Sequence, residues 1–257
     1  MEGSLRAVHK FRKSLRNRLG EVYMFKMKRV AAMAALCAAA ASPTAFAGWS
    51  GNVGAVSEYM FRGIPQGDGG EPAIQGGIDY AADSGFYLGT WGSNVNWGAG
   101  DTELDLYAGF GGETAGGMGY DFGVVYYYYP EEDEYGFDPS ANTTEIYGSL
   151  SFGMFSLAYY GAVGDYFGVE ADLSHYVNGG FSAPLSDKTS LDIAIGYSFG
   201  DAFEGEDGAE DTDYIDYSLG ISTAIDDTLS ASFAIVVTDI DDDDPKFVLG
   251  LSKSFDL

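Results

Sequence analysis

Along most of this chain apolar and polar residues change places at every second position. In TSLDIAIGYSF, residues 189–199, Leu191, Ile193, Ile195, Tyr197 and Phe199 share one face, and Asp192, Ala194, Gly196 and Ser198 share the other. Residues 228–238 set Leu229, Ala231, Phe233, Ile235 and Val237 against Ser230, Ser232, Ala234, Val236 and Thr238. Residues 144–152 set Ile146, Gly148, Leu150 and Phe152 against Glu145, Tyr147, Ser149 and Ser151. Successive side chains of an extended strand point to opposite sides, so this period marks strands with one apolar and one polar face. Twelve segments carry it: 49–61, 72–81, 86–95, 102–112, 119–129, 143–152, 155–167, 174–183, 189–200, 213–223, 228–238 and 246–257.

The connections alternate in character. ADSG, TAGGM, GM, PLSDK and AIDDT are short turns, whereas RGIPQGDGGE, NWGAGD, PEEDEYGFDPSAN, GVEADL, DAFEGEDGAED and DIDDDDP are longer or more acidic. No apolar run within 48–257 reaches the roughly 18 residues of a membrane-spanning helix. A soluble β-sandwich shows similar alternation, but strands near ten residues, the loop alternation and the Tyr- and Phe-rich apolar faces favour another solution. In lipid every backbone group needs a partner, so a spanning sheet must close on itself. The expected fold is therefore all-β: a transmembrane antiparallel up-and-down barrel of about twelve strands, with short periplasmic turns. No loop stands out as long enough to fold in as a large plug.

The stretch GVVYYYYPEEDEYGFD, residues 123–138, fits this reading. Tyr120, Phe122, Val124, Tyr126 and Tyr128 fall on the lipid side, with Tyr127 and Tyr129 turned inward. Outward tyrosines near a strand end bury the ring and wet the hydroxyl, as an interfacial girdle requires. Pro130 has no N–H to continue the ladder, and the acids after it form an outer loop.

The charge is unevenly placed. Of the chain's 13 Lys and Arg, nine lie in residues 1–29. A second methionine, Met27, starts a short basic end, an apolar run from Val30 to Ala41 and the small-x-small site Ala45-Phe46-Ala47. That is the pattern of a Sec-type signal peptide cleaved after Ala47, so residues 1–47 read as an upstream extension plus leader and 48–257 as the barrel. Cys37 lies in the leader behind Leu36 rather than a small residue, so lipidation is not expected and no disulfide is available. Residues 48–257 keep four basic residues (Arg62, Lys188, Lys246 and Lys253) against 37 acids. Such a balance excludes nucleic acid as a partner, since phosphate binding needs basic surface.

SEYMFRGIPQ (57–66), PAIQGGIDY (72–80) and GFYLGTWGSNV (85–95) resemble, in order and spacing, the opening of the TorF-type porin family. The matching positions are Ser57, Tyr59, Phe61, Arg62, Gly63, Pro72, Gln75, Gly76, Gly77, Asp79, Tyr80, Trp91, Ser93 and Asn94, with LSKSF near the end also fitting and Pro65 standing where a serine is expected. The resemblance implies a Gram-negative outer-membrane barrel and a channel. The last strand carries Phe247, Leu249, Leu251, Phe255 and Leu257 on one face, with Lys253 among them near an interface. Phe255 is the expected signal to the barrel-assembly machinery, to which periplasmic chaperones would deliver the chain.

Candidate chemistry is sparse. Gly196-Tyr197-Ser198-Phe199-Gly200 is a literal G-x-S-x-G, but a nucleophile elbow needs a strand-to-helix turn and this one lies within an alternating strand. His175 is the sole histidine after the leader and reads as structural or lumen-lining. No enzyme is expected. Asp239, Asp241, Asp242, Asp243 and Asp244 offer oxygen ligands for weakly bound Ca²⁺ or Mg²⁺, including ions that bridge lipopolysaccharide, or simply a solvated repulsive loop. No cofactor is expected otherwise. The pore-lining candidates are Asp79, Asp105, Asp121, Glu145, Asp192 and Asp216, all on polar strand faces, with Arg62 at the mouth, reaching an inward carboxylate or snorkelling beside Tyr59 and Phe61. Acid rings favour cations. The expectation is an outer-membrane channel for small hydrophilic solutes that prefers cations. Its alternative is a non-conducting barrel with a structural, adhesive or lipid- and divalent-cation-organising role, in contact with outer-membrane lipid and lipopolysaccharide. A lumen filled by Tyr107, Tyr127, Tyr147 and Tyr160 would count against an open pore.

Overall fold

The structure, a computed structural model, describes residues 47–204, 212–241 and 243–257. The leader, its cleavage site and Asp242 lie outside or at the edge of the described residues. The described strands are β1 (Gly48–Val56), β2 (Met60–Phe61), β3 (Ile64–Pro65), β4 (Ala73–Ala81), β5 (Phe86–Asn94), β6 (Thr102–Glu113) and β7 (Met118–Tyr128). A short helix, α1 (Glu132–Tyr135), precedes β8 (Thr143–Phe152), β9 (Phe155–Ala162), β10 (Ser174–Pro184), β11 (Thr189–Gly200), β12 (Tyr214–Ala224), β13 (Leu229–Thr238) and β14 (Lys246–Asp256). Twelve of the strands close into one antiparallel barrel in chain order, while β2 and β3 form a separate hairpin.

Closure is made by β1, which pairs with β4 from Gly48↔Ala81 to Val56↔Ala73 and with β14 from Ser50↔Asp256 to Val56↔Gly250. No wall strand keeps a free edge, as a sheet in lipid requires. The alternation sorts side chains as expected. Ile78, Leu106, Phe122, Val124, Ile146, Leu157, Ile195, Leu219, Phe233 and Leu249 all stand exposed on the outside. An apolar belt carried by successive strands is incompatible with a solvated surface and marks the lipid-facing wall. His175 belongs to this outer face, hydrogen-bonded through Nδ1 to the Tyr159 hydroxyl at 2.8 Å and packed on Phe199, rather than to the lumen.

Five short turns occupy the end of the barrel where β1 starts and β14 finishes. The other end carries the long connections, and these two ends are called the turn end and the loop end below. Two of the expected strands stop short. Segment 49–61 leaves the wall after Val56, and segment 155–167 leaves it after Ala162. Both continuations turn inward and meet at Arg62 and Tyr166, so the lumen is entered by short segments although no loop had the length expected of a large plug.

Along the lumen wall, tyrosine rings lie over cross-strand glycines. Tyr107 pairs with Gly89, Tyr87 with Gly109 and Tyr147 with Gly123. A methyl on Gly123 would stand 2.5 Å from the Ala108 carbonyl and 2.6 Å from the Tyr147 hydroxyl, so only glycine leaves the ring its place. From β8 round to β14, by contrast, the inward positions nearer the turn end are small and polar, among them Ser149, Ser156, Ser182, Ser222, Ser232 and Ser252.

Candidate functional site

The site is the loop-end half of the lumen, and it is built around residues 57–66. Ser57 pins the start of this segment to the wall, its N–H donating to the Leu249 carbonyl at 2.8 Å and its Oγ accepting from the Leu249 N–H at 2.9 Å. Strands β2 and β3 then pair as Met60↔Pro65 and Phe61↔Ile64 around a two-residue turn, Arg62-Gly63. Both turn residues have positive φ, 50° and 82°. That is the twist a tight hairpin turn needs, and at Arg62 it costs about 1–2 kcal/mol because of its Cβ. Gly63 carries no such cost and lets the tip approach the far wall, where a methyl would meet Asp216 and Thr238 at 2.7 Å. The hairpin is closed by Gln66 N–H donating to the Tyr59 carbonyl at 2.8 Å, and tied to the next loop by Asn96 N–H donating to the Gln66 carbonyl at 2.6 Å.

The tip places Arg62 in the lumen at 2% exposure. Its Nη2 donates to Glu145 Oε2 at 2.6 Å and its Nη1 to the Tyr166 hydroxyl at 3.1 Å. The guanidinium carbon lies 4.7 Å from the Phe61 ring centroid, 5.2 Å from Tyr160 and 4.5 Å from Tyr176. Of the two expectations for Arg62, contact with an inward carboxylate holds and snorkelling to the interface does not. Glu145 also accepts from the Tyr127 hydroxyl at 3.1 Å. Glu103, unremarked in the sequence, is equally buried and accepts from the Tyr59 hydroxyl at 2.9 Å and the Tyr129 hydroxyl at 2.6 Å. Its place in T-E-L-D-L-Y, two residues before Asp105, carried the signal.

Aromatic side chains roof the hairpin. Phe167, with φ 47°, packs on Phe61, Tyr127, Tyr129, Trp97 and Tyr166, and Trp97 also meets Phe137. Glu132 in α1 holds the 129–142 loop in place by accepting from Ser140 Oγ at 2.8 Å and from the Ala141 N–H at 2.5 Å. Met60 seals the opposite side against Ala234, Val236 and Val248. Buried side chains thus ring the loop-end lumen from Ala73 through Tyr127 and Tyr176 to Val248.

The six expected lumen carboxylates all face inward, but they divide into two groups. Asp105, Glu145 and Asp216 are buried beside the hairpin. Asp79, Asp121 and Asp192 lie nearer the turn end and are half-buried. There Asp79 accepts from the Tyr107 hydroxyl at 2.5 Å and Asp121 from the Tyr87 hydroxyl at 2.7 Å. Asp192 accepts from Ser182, Ser190 and Ser222 at 2.6, 3.2 and 2.7 Å. In the buried group Asp105 Oδ1, Glu145 Oε1 and Asp216 Oδ2 have no hydrogen-bond partner among the described residues.

The remaining candidates fall elsewhere. Ser57, Tyr59, Phe61, Arg62 and Gly63 are the hairpin itself, while Pro72 and Ile74 are held by Asn94, whose Nδ2 donates to the Pro72 carbonyl at 3.1 Å and whose Oδ1 accepts from Ile74 N–H at 2.7 Å. Gln75, Gly76, Gly77, Asp79 and Tyr80 lie in β4, and Trp91 and Ser93 face them from β5. Of the acidic run, Asp243 bonds Lys246 at 2.9 Å and Thr238 at 2.7 Å, and Asp239 accepts from the Ile215 N–H at 2.7 Å. Among the described residues no three carboxylates, including those of Asp241 and Asp244, gather as a metal site. Ser198 is buried on the lumen side of β11, whereas His175, the cross-strand neighbour of Phe199, stands on the lipid side of β10, so the serine and the histidine of the G-x-S-x-G region lie on opposite faces of the wall.

These features define a transmembrane β-barrel with the fold of outer-membrane porins and a hairpin lodged in its lumen. The chain belongs to the Gcw_chp family of bacterial proteins of unknown function, whose profile matches residues 37–253. No curated protein sequence matches it. Among solved structures it is similar to the KdgM porin, with 10% identity and a TM-score of 0.54 over 80% of this chain and 99% of that one. The KdgM porin in complex with disordered oligogalacturonate matches at the same TM-score of 0.54 and 10% identity, again over 80% and 99% of the two chains. These likenesses carry the barrel fold.

Proposed function

We propose that this chain is an outer-membrane porin, a passive channel for small hydrophilic solutes with a preference for cations, whose loop-end mouth is stoppered by the 57–72 segment in this structure. The observation that carries the reading is the lumen's charge. Seven strand carboxylates face inward (Asp79, Glu103, Asp105, Asp121, Glu145, Asp192 and Asp216), and the hairpin's Arg62 is the cation among them. Fixed acids in a low-dielectric passage favour cations, and the acidic outer loops raise their local concentration. In the turn-end half, the half-exposed Asp79, Asp121 and Asp192 and the inward serines of β8 to β14 support a wet passage up to the stopper, beside Tyr87 and Tyr107. The KdgM complex holds an acidic oligosaccharide, whereas this lumen has the wrong sign for such a solute.

Kinship with the TorF-type porins, export by a leader cleaved after Ala47, and assembly through Phe255 belong to the same reading. So do residence among Gram-negative outer-membrane lipids and lipopolysaccharide, weak Ca²⁺ or Mg²⁺ binding at the 239–244 loop, and a non-enzymatic role. The second reading, a non-conducting barrel with a structural or adhesive role, is favoured by the burial of the hairpin.

Residues 48–257 refolded into a planar bilayer with a KCl gradient discriminate the two. The porin reading expects small cation-selective steps from the native chain, and larger ones when residues 58–70 are replaced by a short Gly-Ser linker. Silence from both folded barrels would favour the second reading, and anion-selective steps would sink the cation preference.

A further inference from the structure

The surroundings of Arg62 have the composition of a binding site for a guanidinium or alkylammonium group. A carboxylate at 2.6 Å, a phenol at 3.1 Å and the faces of Tyr160 and Tyr176 on the wall meet one cationic head. Carboxylates and aromatic faces together recognise organic cations, because the ring quadrupole and the anion both favour positive charge once water is excluded. The wall supplies Glu145 from β8, Tyr160 from β9 and Tyr176 from β10, and the connection after β9 supplies Tyr166. The head, by contrast, arrives on the tip of a separate hairpin through a turn that holds Arg62 at φ 50°.

The chamber also holds more anion than Arg62 satisfies. Glu103, Asp105, Glu145 and Asp216 are all at least nine-tenths buried, against one buried arginine. Glu145 Oε1 and Asp216 Oδ2, the latter on the side chain the hairpin tip touches, and Asp105 Oδ1, across the β6–β7 ladder from Tyr127, carry no hydrogen bond from the described residues. Buried carboxylate oxygens without donors are costly, and a second donor-rich cation would relieve them.

We propose that Arg62 acts as a built-in occupant of a solute site: the solutes of this porin are small organic cations bearing a guanidinium or primary ammonium group, and they take the place of Arg62 between Glu145 and the Tyr160 and Tyr176 rings when the hairpin withdraws. The proposal deepens the porin reading and rests on it for transport, but the site itself is testable without current. Removing the Arg62 side chain uncovers the site, and removing the Glu145 charge spoils it.

The experiment is calorimetric titration of methylguanidinium into detergent-solubilised, heat-modifiable barrels of residues 48–257. Saturable binding to Arg62→Ala is expected, at least tenfold weaker in the native chain and in Arg62→Ala/Glu145→Gln. Absence of saturable binding to Arg62→Ala, or binding unchanged by Glu145→Gln, overturns the proposal. Should Arg62→Ala refold poorly, millimolar methylguanidinium in the refolding buffer is expected to raise its yield at least threefold, and an unchanged yield overturns the proposal equally. KCl conductance of the same preparations reports on the porin reading separately. Current without methylguanidinium binding removes the site and leaves the porin, while binding without current leaves the site and removes the porin.

Discussion

The two halves of this lumen solve the same problem in opposite ways. Each places carboxylates inside a barrel that lipid surrounds. In the turn-end half the acids stay half-exposed, and each takes hydroxyl donors from its own wall: Tyr107 for Asp79, Tyr87 for Asp121 and three serines for Asp192. In the loop-end half the acids are buried, and a separate piece of chain brings a cation to them. A hydroxyl leaves a carboxylate's charge in place for a passing ion. An arginine neutralises it and fills the space. The first arrangement suits a passage and the second a stopper.

The sharpest way to break this comparison is to remove one carboxylate from each half. Glu145→Ala strands Arg62 without its counter-charge in a dry site, and removing one member of a buried pair costs about 3–5 kcal/mol. Asp192→Ala takes one acceptor from three serines, of which Ser190 and Ser222 keep each other as partners at 2.7 Å, at a cost of about 0.5–1.5 kcal/mol. Urea unfolding in lipid vesicles reads both, and equal losses would show that the halves do not differ. The double variant Arg62→Met/Glu145→Leu is expected to be less damaged than either single change, because no lone charge then remains.

A smaller effect tests the wall under the tyrosines. Gly123→Ala drives a methyl into the Ala108 carbonyl and the Tyr147 hydroxyl, whereas on Gly148 the nearest atom would be 3.8 Å away. The expected losses are about 1–3 kcal/mol for the first and within about 0.5 kcal/mol for the second. Tyr107→Phe in the turn-end half removes one hydroxyl from Asp79 and is expected to cost about 0.5–1.5 kcal/mol, with the barrel still heat-modifiable on gels.

The same contrast separates what the sequence discloses from what it hides. The wall was legible because lipid outside and water inside enforce a strict period of two, and segments such as 143–152 and 189–200 match their strands at both ends. The stopper was not. Tyr59, Met60 and Phe61 prolong the apolar character of β1, so the segment reads as strand until Arg62, and Arg-Gly lacks the Asn-Gly look of a tight hairpin turn. Phe167 hides the inward loop after β9 in the same way. The inward direction of Asp105, Glu145 and Asp216 followed from alternation alone. Their burial did not, because it depends on a hairpin arriving from elsewhere in the chain. The Gly–Tyr pairs needed the register between strands, which periodicity within one strand does not contain.

The smallest expected effect lies outside the lumen and compares the two ends of the barrel by pH. At the turn end, the Asp226 carboxylate accepts from the Thr228 and Leu229 N–H groups, both at 2.8 Å, and from the Thr228 hydroxyl at 3.0 Å. These bonds hold it below the usual carboxylate range. At the loop end, partial burial pushes the Asp243 carboxyl up, but bonds from Lys246 and Thr238 outweigh that and hold it lower. In both cases the charged form is favoured on folding, so the stabilisation is full above the unfolded value of about 4 and fades as pH falls through the depressed folded value. Urea midpoints of the native chain should therefore fall across that acidic window, and Asp226→Asn and Asp243→Asn should each flatten the fall. An unchanged pH slope for Asp226→Asn would mean that the turn is held by its backbone alone. If only Asp243→Asn kept the native slope, the Lys246 pair would be screened away by solvent, as exposed ion pairs commonly are.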